Sequence, residues 1–113
     1  MNVAGAQLAQ ITGDLTTATA AISGLNLNVE IDLITVQVDQ NCNCTIYHDD
    51  DGTTYTLATQ IWYEARTVAL NNTSVYSTIP LYIYLKAGGA IGVKCSVASA
   101  ATFTFYGRTQ VGR

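Results

Sequence analysis

No lysine or arginine occurs before Arg66, and the five bases of the chain are scattered singly. A sequence with no basic cluster and a formal net charge of −3 lacks the electrostatic footprint of a nucleic-acid-binding protein. Charged residues make up only 12% of the chain, about half the usual soluble share. The apolar surplus is not a membrane span, because no run approaches the ~20 apolar residues that a span requires. It is expected to be buried against other chains. With one histidine, no Gly-x-Ser-x-Gly elbow and no phosphate-binding Gly-rich loop, no acid/base constellation can be assembled, and no enzymatic activity is expected. A single proline among many threonines excludes a Pro-rich disordered chain and suits a compact β protein. The start, MNVAGAQLAQ, has neither a basic n-region nor a continuous apolar h-region, so it does not read as a secretory signal.

What is present is alternation. Leu81, Ile83 and Leu85 alternate with Tyr82 and Tyr84; Ile91, Val93, Cys95 and Val97 alternate with Gly92, Lys94 and Ser96. Phe103 and Phe105 alternate with Thr102, Thr104 and Tyr106. Period two sends successive side chains to opposite faces of a sheet, so the aliphatic rows belong to a core. Earlier, Val29, Ile31 and Leu33 keep one phase, whereas Ile34, Val36 and Val38 keep the other. Such a flip needs a bulge or a bend. Cys44 to Tyr47 and Thr53 to Leu57, around His48 to Gly52, are expected to form a hairpin. Asn71 to Ser74 reads as a turn. The 113 residues are enough for one domain with a core of its own.

Residues 1–24 read differently. Leu8, Ile11, Leu15, Ala18, Ile22 and Leu25 fall three and four apart, the spacing of a helical stripe. Gly13 and the threonines disfavour a helix, so an extended arm and a short helix both remain open. The expected organisation is an arm or short helix over 1–24, a sandwich over 25–107 and a tail over 108–113. The fold class expected is all-β, an antiparallel jelly-roll-like β-sandwich with that N-terminal appendage.

The stretch from Leu81 to Gly107 carries a resemblance. An aliphatic strand, the turn Lys86-Ala87-Gly88-Gly89, a second such strand, a small-residue loop and an aromatic closing strand resemble the last three strands of C1q and tumour-necrosis-factor-like domains. The pattern is also similar to small capsid cement and head-decoration proteins of tailed phages. That likeness implies a homotrimer on a virion surface, assembled in the host cytoplasm, whose partner is the major capsid protein. With the composition and charge already described, no membrane, no nucleic acid and no cofactor are expected.

Residue chemistry adds candidates. Tyr82 and Tyr84, opposite the aliphatic row, with Trp62 and Tyr63, are candidates for a subunit interface, where such rings are enriched. Leu8, Ile11 and Leu15 are candidates for contact with the shell. Cys42, Cys44, His48 and Cys95 are the only soft-ligand set, but they lack a Cys-x-x-Cys knuckle or a second paired motif. Reduced thiols filling space, with no metal, are expected; a disulfide such as Cys44 to Cys95 would leave one thiol over. The run Asp49-Asp50-Asp51 is consecutive and lacks the spacing of a calcium loop. The expected function is non-enzymatic: a capsid cement or decoration trimer. The alternative is a receptor- or glycan-binding tip domain of a virion fibre, with residues 8–25 as its stalk.

Overall fold

Apolar residues at every second position need a dry face, and two sheets supply it to each other. The computed structural model describes residues 6–50, 55–56, 59–67 and 75–110. Among them are no helix and nine strands: β1 (Ala6–Ile11), β2 (Thr19–Ile22), β3 (Asn28–Val38), β4 (Cys42–Asp49), β5 (Gln60–Arg66), β6 (Val75–Ile79), β7 (Ile83–Leu85), β8 (Ala90–Cys95) and β9 (Ala101–Gln110). One antiparallel sheet runs β1-β9-β3-β6, with β7 also on β3; the other runs β2-β8-β4-β5. β6 pairs the second half of β3 and β7 the first half, so the two lie end to end. Pro80 falls in the gap, where a missing ladder donor does no harm.

Val29, Ile31, Ile34, Val36, Ile46, Ile91, Val93, Phe103 and Phe105 are fully buried in one cluster between the sheets. The phase flip in β3 is resolved by a bulge. Ile31 stands opposite Gly107 and Leu33 opposite Tyr106, leaving Asp32 as the extra residue. The flip therefore lies one position ahead of Leu33-Ile34, within a strand that stays in one sheet. The bulge presses the β3 backbone against Gly107, where a Cβ would collide with the Glu30 carbonyl.

The N-terminal reading is corrected. Residues 6–22 are neither an arm nor a helix; they give each sheet an outer strand. β1 pairs β9 from Ala6 to Ile11, and β2 pairs β8 from Thr19 to Ile22. Between them the chain turns at Gly13, whose φ is 100°, and Asp14 accepts bonds from the Thr16 amide and hydroxyl. Those bonds also lower the Asp14 carboxyl below its ordinary value. The three-and-four spacing comes from two strands and a corner, and it delivers Leu15 and Ile22 to the core. Threonine-rich sequence beside open strand edges favours pairing over a helix.

The C-terminal boundary moves too: Arg108, Thr109 and Gln110 continue β9 against Glu30, Val29 and Asn28. β4 pairs β5 in register from Cys42 to Tyr47. Of the segment 53–57, Tyr55 and Thr56 are described and are not in a strand, while 53–54, 57 and the turn at Asn71–Ser74 lie outside the described residues. Leu85 to Gly89 is a crossover between sheets, with Gly88 at a φ of 85°.

Candidate functional site

The alternation that buries Ile83 and Leu85 on β7 turns Tyr82 and Tyr84 outward, 62% and 43% exposed. Glu30 of β3 accepts a hydrogen bond from the Tyr82 hydroxyl, which raises that phenol above its ordinary value. Asn28 donates to the Tyr84 hydroxyl at 2.9 Å, and its side-chain oxygen accepts from the Ala87 amide. Arg108 of β9 reaches across to Glu30 at 2.8 Å and Asp32 at 3.1 Å. Leu25 is also exposed, and its carbonyl accepts from Gly88 in the turn after β7. The result is a pair of exposed rings with charged residues beside them. Exposed ion pairs of this kind add little stability, but Glu30 also holds the Tyr82 hydroxyl.

The shell-contact candidates fare differently. Leu15 is 2% exposed, inside the core, and its carbonyl accepts from the Cys95 amide. Leu8 and Ile11 are partly buried against the same cluster. None of the three is a free apolar group on an arm. Trp62 is half-buried: it stands opposite Ile46, packs on the core and is covered by Arg66 at 4.9 Å from its ring centroid. Tyr63, one residue on, points outward and is 57% exposed.

Tyr63 belongs to a groove on the outer face of the second sheet, of about 400 Å³. Thr45 and Tyr47 of β4, Gln60 of β5, Lys94 of β8 and Tyr55 line it with Tyr63. Gly92 makes room for Tyr55, since a Cβ there would lie 2.6 Å from the ring. Tyr47 and Tyr55 stack at a tilt, centroids 5.6 Å apart. The Tyr55 hydroxyl is buried with no hydrogen-bond partner among the described residues. Its burial and the nearby Asp49 charge raise the phenol's pKa. Spacing gave no hint of this groove, because β4, β5 and β8 meet only through tertiary pairing.

Inside the sandwich, Cys42, Cys44 and Cys95 converge, all buried and all free. Cys44 stands directly opposite Cys95, and burial pushes the Cys44 thiol up to about 11. The Cys42 thiol is also raised, by burial first and by the other two sulfurs. His48 is not part of this set; its Nε2 lies 2.8 Å from Asp50. Thiols so raised are poor nucleophiles. Comparison with protein-family models, with curated proteins and with solved structures finds no match to this chain.

Proposed function

We propose that this chain is a non-enzymatic structural protein of a virion, a jelly-roll subunit that decorates and stabilises a tailed-phage capsid as a homotrimer. The observation that carries the reading is the outward pair Tyr82 and Tyr84, rimmed by Glu30, Asp32 and Arg108. An apolar centre with a polar rim is the composition of a subunit interface. The low charge of the chain points the same way. Strand order supports the jelly roll. With β6 and β7 counted as one interrupted strand, the sheets run first-eighth-third-sixth and second-seventh-fourth-fifth, the order of two nested Greek keys. With residues 6–22 inside the sheets, attachment to the shell falls to the sandwich surface. Negative-stain imaging of capsids assembled from the major capsid protein of the same virus, with and without this chain, tests the reading. Added density at symmetry-related positions is expected; bare shells at saturating protein reject it.

A second reading, glycan binding at a fibre tip, is favoured by the groove on the outer face of the four-stranded sheet. Tyrosine faces stack on sugar rings, and Gln60 and Lys94 offer hydrogen bonds to sugar hydroxyls. A glycan array probed with the intact chain and with Tyr63→Ala decides it. A signal lost in the variant supports this reading, and no signal above background removes it.

A further inference from the structure

Cys42 and Cys44 sit two residues apart on the inward face of β4, and Cys95 sits inward on neighbouring β8. These are the two central strands of the four-stranded sheet. The Ser96 amide donates to the Asn43 carbonyl at 3.0 Å, which makes Cys44 and Cys95 a non-hydrogen-bonded pair. In such pairs the two side chains approach most closely. The Cys42 and Cys44 sulfurs are 3.8 Å apart, and all three lie within 4.8 Å of one another. An ion about 2.3 Å from each of three sulfurs sets those sulfurs roughly 3.8–4.0 Å apart.

We propose that Cys42, Cys44 and Cys95 form a buried three-sulfur site for a soft cation of low coordination number, with monovalent copper as its ligand. The donor set selects the ion. Thiolates favour soft metals, and hard ions such as calcium and magnesium require oxygen ligands. Zinc requires a fourth ligand, and no fourth His, Cys, Asp or Glu of the described residues joins the group. His48 lies four residues along β4 from Cys44, roughly 13 Å at strand rise, and is engaged with Asp50. All three cysteines are buried among apolar side chains, a setting that suits an ion of low coordination number. Binding would displace thiol protons to solvent and leave the copper monovalent, so no oxidant or reductant is consumed. The resulting negative charge has a nearby counterion. Arg66, whose Nη1 also pairs with Glu64, is the cross-strand neighbour of Cys42; its charge acts on Cys44, and its Nε is buried without a partner among the described residues. A bound ion would join β4 to β8 at the centre of their sheet, whatever the molecule attaches to outside.

The test is an anaerobic titration of the reduced protein with copper(I), in competition with the chromophoric chelator bathocuproine disulfonate. One equivalent withdrawn from the chelator is expected, together with thiolate-to-copper absorption in the near ultraviolet and a rise in melting temperature. Cys95→Ala and, separately, Cys42→Ala should each weaken uptake at least tenfold. Circular dichroism checks their folding, and the less enclosed Cys42→Ala keeps the test valid if Cys95→Ala fails to fold. No uptake by the wild-type protein overturns the proposal. So does uptake undiminished in folded Cys42→Ala, and so does a protein that yields only a Cys44–Cys95 disulfide.

Discussion

A side chain at position 107 has nowhere to go. The β3 bulge at Asp32 brings the Glu30 carbonyl onto the Gly107 Cα, so any Cβ meets backbone that cannot rotate away. Gly107→Ala should destabilise the fold by about 2–4 kcal/mol, measured as a fall in urea midpoint; an unchanged midpoint would show that the bulge is not rigid. A second residue-level effect belongs to Cys44. Its thiol is raised from 9.0 to about 11 by burial, so the folded protein keeps this proton after an unfolded chain has lost it. That stabilising contribution is complete below pH 9 and is lost as pH rises through about 11. Denaturation of the reduced protein should therefore show stability falling across this window, and Cys44→Ala should flatten the fall. The sequence puts Cys95 on an inward row and groups it with Cys42, Cys44 and His48, but which of the four meet depends on β4 lying beside β8. Likewise the phase flip in β3 announced a bulge, whereas its consequence for Gly107 came only with the register.

Strands are legible where alternation is long and undisturbed. Leu81 to Tyr106 and Asn28 to Val38 carry two-residue periods because each has one face in the core and one outside. β1 and β2 escaped notice because they are short edge strands whose burial is graded and not alternating. Their apolar residues, read across the corner at Gly13 to Leu15, imitated a helix. Trp62 is ambiguous in the sequence for a related reason: in β5 neither row is fully buried, and only its pairing to Ile46 shows which side faces in. The corrected placement changes what a deletion does. Removing residues 1–24 would strip an edge strand from each sheet, expose the ladders of β8 and β9 and take Leu15 and Ile22 from the core. Loss of cooperative unfolding, with aggregation, is expected. Leu15→Ala alone should cost about 2–5 kcal/mol, the range for a buried leucine left as a cavity. A truncated chain with a sharp melting transition near that of the intact protein would contradict the placement of β1 and β2.

For the whole molecule, the central claim is that the face bearing Tyr82 and Tyr84 meets other copies of the same chain. Every other feature of that face is compatible with contact: the rings are held by Glu30 and Asn28, and Arg108 spans the acidic pair beside them. Charge at the ring positions would be buried unpaired in a trimer and solvated in a monomer, so Tyr82→Asp with Tyr84→Asp should separate the subunits and spare the core. The direct measurement is light scattering on the wild-type protein at micromolar concentration, repeated on this double variant with circular dichroism as the check on folding. Three chain masses for the wild type and one for a folded variant are expected. A wild-type protein that scatters as a single chain contradicts the account.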